Sequence, residues 1–348
     1  MPAYKDKERN TWFASFYYTD FQGERKKKIK RGFKRQKDAL EFEREFLGSS
    51  KVDVNITFDT LVSLYLEDMS TRLKQSTMEN KKYLIYNRIM PFFEKLRISD
   101  ITPVHIRKWQ NELLKSDYSQ TYLKTINNQI VAIFNYATKY YNLDSNPAHI
   151  AGTIGKKDAD KMEFWTIEEF KTFIDYETKE EPKLALNILF WSGIRLGELL
   201  ALTPNDIYDN LIDINKSYIR LNNEDIISEP KTPKSIRKVI IPKLLYNDIQ
   251  NYISKLYKIE NNDRIFQFAK SYLGKEIDRC CKISGIKRIR VHDLRHSHAS
   301  LLVNMDINIL TISERLGHEK VDTTWNTYSH LYPNKQVEVA QKLDNLIL

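Results

Sequence analysis

The stretch from Ser119 to Ala137 sets the tightest limit on the fold. Its apolar residues Leu123, Ile126, Ile130, Ile133, Phe134 and Ala137 recur at helical steps, which gathers them on one face of a long helix. Such a stripe needs partners to cover it, and the preceding residues supply them. Thr57 is a suitable N-cap for the periodic run that ends at Leu66. Ser76 to about Lys95 reads as a second helix, interrupted or kinked at Pro91. Thr102-Pro103 opens a third through Ile106, Trp109 and Leu113, with proline at its first position. Residues 55–147 are therefore expected to form a compact four-helix domain.

Two different units flank it. In residues 1–50, Trp12 to Tyr18 alternates as a strand, Asp20 to Gly23 makes a turn, and Lys26 to Gly32 forms a second strand. A third strand precedes Trp12, and an amphipathic helix covers Lys37 to Leu47. Gly48 to Ser50 marks one linker and Asn146 to Lys161 another. The third unit, residues 162–348, starts with a capping box at Thr166-Ile-Glu-Glu169. A buried helix over Leu184 to Trp191 ends at Gly193, and a small antiparallel sheet lies between Ile212 and Ile241. Helices follow from Lys243, the last a short amphipathic tail over Asn334 to Leu348. The fold class is mainly α with small β-sheets, a multidomain α+β chain.

Charge narrows the partner. A net charge of +9 and a pI near 9.1 favour a polyanion. An anionic membrane is the competing partner, but no basic amphipathic helix or lipidation motif supports it. No apolar run has the length of a membrane span, and the N-terminus lacks a signal-peptide core, so the expected compartment is the cytoplasm or a nucleus. Cys280 and Cys281 are adjacent and suggest no disulfide framework. Nine basic residues and one acid lie between Glu24 and Lys37. Beside Phe13, Phe16 and Phe33, read as exposed, strand-borne cations such as Arg25, Lys26, Lys28 and Lys30 suit a sheet laid in a DNA groove; a plain solvated face is the alternative. Further candidates are Lys74, Thr77 and Lys81 at one helix start, and Thr121, Lys124 and Asn128 at another. Ordinary capping accounts for part of that pattern.

The chemistry-bearing strings are in the third unit. His292 and Arg295 in HDLRHSHAS share one face of a first helical turn, beside amides that a helix N-terminus leaves unpaired, which together suit a phosphate. Arg195 and Glu198 are three apart, so the carboxylate can fix the guanidinium plane and support bidentate phosphate binding. A surface salt bridge or polar cap is the bland alternative for each. Lys231 lies in a turn between two strand-like runs, His318 follows Leu316-Gly317, and Tyr328 comes ten residues later.

In this order, Arg195, Lys231, His292, Arg295, His318 and Tyr328 resemble the tyrosine recombinases, the phage-integrase family of site-specific recombinases. The strings SGIRLGELLAL, PKTPKS, HDLRHSHAS, ERLGH and TTWNTYSHL each resemble a family box. Residues 55–147 resemble the helical, SAM-like core-binding domain, and residues 1–50 the arm-binding domain of integrases from phages and conjugative transposons. The resemblance implies cleavage and rejoining of DNA through a 3′-phosphotyrosyl link, integrating or excising a mobile element. Tyr328 is then the nucleophile, His292 its base, and Arg195 and Arg295 hold the phosphate oxygens. His318 adds a hydrogen bond, and Lys231 (or Lys234 on the same turn) protonates the leaving 5′-oxygen. No cofactor, metal or ATP is implied. The implied partners are duplex DNA at core and arm sites, three further copies in a tetramer bridged by the tail, an excisionase and a host DNA-bending protein, in a bacterial cytoplasm. The rival readings are a metal site on His292, Asp293, His296 and His298, a DNA-binding regulator, a type IB topoisomerase and a chromosome-dimer resolvase.

Overall fold

Two units, residues 1–160 and 161–348, make up the chain in a computed structural model that describes residues 3–6, 11–19, 25–49, 56–157, 163–230 and 232–329. Strands β1 (Ala3–Asp6), β2 (Thr11–Thr19) and β3 (Arg25–Phe33) form an antiparallel sheet in that order, followed by helix α1 (Gln36–Ser49). The two-residue period of a strand divides the sheet into two faces. Ala14 and Phe16 are buried with Ala39 of α1, and Phe42 and Phe46 pack around them. Phe16 is therefore core rather than exposed, because it shares the parity of Ala14. Phe33 also turns inward, its ring 5.5 Å from that of Phe42. Phe13 and Tyr17 stand on the open face.

The helical domain consists of α2 (Phe58–Ser70), α3 (Gln75–Leu84), α4 (Met90–Phe93), α5 (Pro103–Leu114), α6 (Gln120–Tyr140) and α7 (Pro147–Ala151). Thr57 and Ser119 cap α2 and α6 through their hydroxyls, and the full stripe of α6 is buried. The second helix breaks at a π-type segment, Ile85–Ile89, one turn earlier than expected. Pro91 is the second residue of α4, which continues directly from the π segment, near enough to its start for the missing N–H to cost little. The segment read as a linker from Asn146 starts with α7, and Ala148, Ala151 and Ile154 are buried in the same core.

The second unit opens with α8 (Ile167–Asp175), α9 (Glu180–Ser192) and α10 (Leu196–Leu199). Strands β4 (Ile207–Tyr208), β5 (Leu211–Ile214), β6 (Ser217–Leu221), β7 (Glu224–Ser228) and β8 (Arg237–Ile240) form two sheets instead of one, β4-β5-β8 and a β6-β7 hairpin. Asn222 and Asn223 both take positive φ, as a tight two-residue hairpin turn requires. The strands β7 and β8 thus belong to different sheets. Then come α11 (Lys243–Lys255), α12 (Ser271–Ser284), α13 (Asp293–Asn304), α14 (Ile309–Leu316) and α15 (Val321–Tyr328). Lys231, the turn expected over 20–23 and the tail over 334–348 lie outside the described residues. Among those described, no helix is long and apolar enough to cross a membrane.

Helix α13 carries HDLRHSHAS and is buried nearly all round: Leu294, Arg295, Ser297, His298, Ala299 and Ser300 are all inside. The backbone N–H of Trp165 donates to Ser297 Oγ at 2.9 Å, tying the start of the unit to it. Phe170 stacks on Phe190 of α9 with ring centres 3.7 Å apart, within the apolar core that also holds Leu294 of the box.

Candidate active site

Three arginines meet at the end of α14. The last carbonyls of a helix lack intrahelical partners and carry its negative dipole end. Here three in succession each accept from a guanidinium. Arg315 O takes Arg237 Nε at 2.7 Å, Leu316 O takes Arg295 Nη2 at 2.5 Å, and Gly317 O takes Arg195 Nη2 at 3.3 Å. Gly317 makes this turn possible with φ +66°, and a Cβ there would stand 2.9 Å from the Arg237 side chain.

A buried carboxylate balances the cations. Glu198, 3% exposed, bonds Arg195 Nη1 at 2.8 Å and the Arg195 backbone N–H at 2.8 Å. Its two oxygens also accept from Arg237 at 3.2 and 2.9 Å. Burial pushes its pKa upward, but the hydrogen bonds and charge of Arg237, with Arg195, outweigh this and hold it below the ordinary value. Sequence reasoning missed Arg237, although it is 7% exposed at its side chain and lies two residues beyond the PKTPKS string. A single arginine in a strand gives no pattern to detect.

Arg295 is 3% exposed and also donates to Gly193 O at 2.8 Å. Burial, then the charge of Arg195, pushes its pKa down, yet a guanidinium keeps its proton at neutral pH. The free-amide part of the phosphate reading is corrected. The backbone N–H groups of Asp293, Leu294 and Arg295 donate to the carbonyls of Arg290, Val291 and His292, while Asp293 accepts from the Arg290 amide. Any anion held here is held by side chains.

The three histidines of the box diverge. His292 is exposed at the N-cap and makes no capping bond; its pKa falls through partial desolvation, then the charge of Arg295. His298 is buried and its Nε2 accepts from Arg315 Nε at 3.0 Å. His296 Nδ1 lies 2.5 Å from Tyr328 Oη. His292 and His296 stay within one turn of each other, but His296 is engaged by Tyr328, and among the described residues no group of three or more His, Cys, Asp or Glu side chains is placed to hold a metal ion. Tyr328 is 2% exposed, and burial pushes its pKa to about 12. His318 Nδ1 is 2.7 Å from Thr324 Oγ1, and burial, then Arg295 and Arg195, takes its pKa to about 3. The structure thus brings together Arg195, Glu198, Arg295, His318 and Tyr328, with His292 at the rim. Lys234 donates to Glu319 O at 3.1 Å, one residue from His318.

The DNA candidates divide by face. Cross-strand pairing puts Arg25, Lys27 and Arg31 with Tyr17 and Phe13 on the open face. Arg25 sits 4.6 Å over Tyr17 and Arg31 5.6 Å over Phe13. Lys26, Lys28 and Lys30 pair with Tyr18, Phe16 and Ala14 on the helix side; Lys28 and Lys30 lie over Phe46 and Phe42. Lys27 and Arg31 were not among the expected contacts. Lys81 bonds Tyr65 Oη and Gln129 Oε1, each at 2.8 Å, and Lys124 bonds Thr153 at 2.7 Å, so both ammonium groups brace the helices. Thr121 is half-buried with its hydroxyl 3.3 Å from Ser119, while Lys74, Thr77 and Asn128 are exposed.

Three family models match in succession. An arm DNA-binding domain matches residues 2–50, a phage-integrase N-terminal SAM-like domain residues 57–114, and the phage integrase family residues 162–335. The ICEBs1 integrase of Bacillus subtilis (strain 168) is 34% identical over 334 residues, covering 90% of each chain. Among solved structures, a Tn1549 transposon integrase in complex with transposon right end DNA superposes with TM-score 0.66 at 18% identity, over 84% of this chain and 100% of that one. A lambda integrase tetramer bound to a Holliday junction gives 0.58 at 17%, over 92% and 96%.

Proposed function

This chain belongs to the phage integrase family and is a tyrosine recombinase, an integrase of a conjugative element, phage or transposon, and we propose that it cuts duplex DNA with Tyr328. The observation that carries this reading is the arginine cluster: three guanidiniums fixed to consecutive carbonyls, beside a buried tyrosine. A phosphodiester in attack by a phenol oxygen gains charge on its nonbridging oxygens. Cations already held in place stabilise that charge without reorganising. Arg195 and Arg295 hold those oxygens, and Arg237 acts through Glu198 to keep Arg195 in plane. If the Thr324 hydroxyl donates to His318 Nδ1, Nε2–H is left to donate to the phosphate. Lys231 protonates the departing 5′-oxygen, with Lys234 the alternative. The bond energy is stored in the 3′-phosphotyrosyl ester, so joining needs no ATP.

Residues 1–50 bind arm sites through the open face of the sheet, residues 55–147 bind the core site, and residues 162–348 cut. Four copies act together on two duplexes, a reading supported by the lambda integrase tetramer solved bound to a Holliday junction, and the tail over 334–348 docks on a neighbouring copy. An excisionase and a host DNA-bending protein set direction, in a bacterial cytoplasm. The test is covalent trapping. Purified protein is mixed with DNA from the source element, denatured, and the attached DNA is sequenced. Adducts at one defined sequence, absent with Tyr328→Phe, are expected. Specific binding without an adduct would instead make the chain a regulator.

A further inference from the structure

We infer that His296, rather than His292, takes the phenolic proton of Tyr328 during cleavage and returns it during joining. The inference rests on the reading of Tyr328 as nucleophile. Among the described residues, the side chain that hydrogen-bonds the reacting oxygen is His296, with Nδ1 2.5 Å from Oη and the rings 5.7 Å apart at 52°. His292 lies one helical turn back, its ring edge-on to that of His296 at 5.2 Å, and is exposed. Geometry is the first requirement of a general base, and His296 meets it.

The resting proton is on the oxygen. Burial pushes Tyr328 to about 12, while burial and then the charge of His292 take His296 to about 4. The hydroxyl therefore donates to a neutral Nδ1, which leaves the other proton on Nε2. Transfer before attack is strongly uphill, so the proton moves as the new bond forms and the phenol oxygen becomes an ester oxygen that cannot keep it. In that step the Oη–P bond forms and the P–O5′ bond breaks. The Oη proton passes to Nδ1, and the leaving 5′-oxygen takes a proton from a separate acid, the lysine proposed above. During joining, the 5′-hydroxyl gives its proton back to that lysine as the O5′–P bond forms and the Oη–P bond breaks, and the imidazolium returns its proton to Oη. Arg290, His292 and Arg295 on its own segment and His318 beyond α14 disfavour that imidazolium, whereas Asp293 favours it. The result is a base that gives its proton back readily, as a reversible reaction needs.

The test uses the full-length protein on a nicked duplex carrying the sequence recovered by trapping, with single-turnover adduct formation measured across pH. Tyr328→Phe should give no adduct; an adduct there overturns the nucleophile reading itself. His296→Ala should cleave about 10²–10⁴-fold more slowly near neutral pH, with a rate that climbs as pH rises. His296→Gln can still accept a hydrogen bond from Oη but cannot take its proton, so it should stay slow. Placing 3,5-difluorotyrosine at 328, a more acidic phenol, should restore much of the rate in His296→Ala and change the wild type little. Melting curves and DNA binding identify any variant that fails to fold, and His296→Gln then carries the test. The proposal is overturned if His296→Ala cleaves as fast as wild type, if His296→Gln recovers fully, or if the acidic phenol gives no rescue while His292→Ala carries the loss.

Discussion

On β3 the cations of residues 25–31 stand in solvent and lean on aromatic rings. Those of Arg237 and Arg295 are drawn under the surface, and with Arg195 each is fixed to a chosen carbonyl. Both regions suit a phosphate, but by different physics. The strand offers a screened, mobile field whose strength falls with salt. The cluster offers fixed donors in a largely buried setting, where Glu198 and three carbonyls take up the charge. Affinity can come from the first kind of site; rate acceleration needs the second.

The largest separation between the two should come at Arg295. Arg295→Ala strands the buried carbonyls of Gly193 and Leu316, at about 1–3 kcal/mol each, so urea unfolding should show a loss of several kcal/mol. Adduct formation should fall at least about 100-fold. Arg295→Lys keeps the charge without the fork, and should recover part of the stability and little of the rate.

Acid should weaken the cluster next. His298 and His318 are each taken to about 3 and His296 to about 4, with burial the first cause. Histidines depressed in the fold bind more protons when unfolded. Their stabilisation is therefore full above the unfolded value of about 6.5 and is lost as pH falls toward the folded values. For His298 alone the loss at pH 5 is about 2 kcal/mol. Melting temperature should drop between pH 7 and pH 4.5; a flat profile would show that these imidazoles are wet.

The smallest effect belongs to the sheet. Lys27→Ala and Arg31→Ala should leave stability unchanged within about 0.5 kcal/mol. Each should lower the salt dependence of binding to arm DNA by about one ion. Lys30→Ala, on the helix side over Phe42, should change that slope less. Equal slopes for both faces would remove the distinction between them.

What could be read in the sequence follows the same division. Periodicity found the stripe of α6 and the strands of the sheet, because solvent on one side and core on the other impose a repeat. The boxes around Arg195, His292, His318 and Tyr328 were found as words. Face was harder to read: Phe16 was taken as exposed, and the open-face cations Lys27 and Arg31 were passed over for their neighbours. Arg237 and the partner of Tyr328 were missed because tertiary packing, and not spacing, brings them in. His296 stood in view within HDLRHSHAS, but nothing local says which of three histidines meets a residue 32 positions on.

The end of α14 contributes to the cluster only oxygen atoms that every amino acid possesses. Substitutions on the exposed side of that helix can therefore accumulate over generations while the acceptors persist, provided Ile312 and Leu316 on the core side, Arg315 with its bond to His298, and the bare turn at Gly317 remain. Length is a different matter. One residue inserted or lost within α14 turns the three carbonyls by about 100° as a block, and all three arginines lose these acceptors together. Descent can respell this stretch far more easily than it can lengthen it.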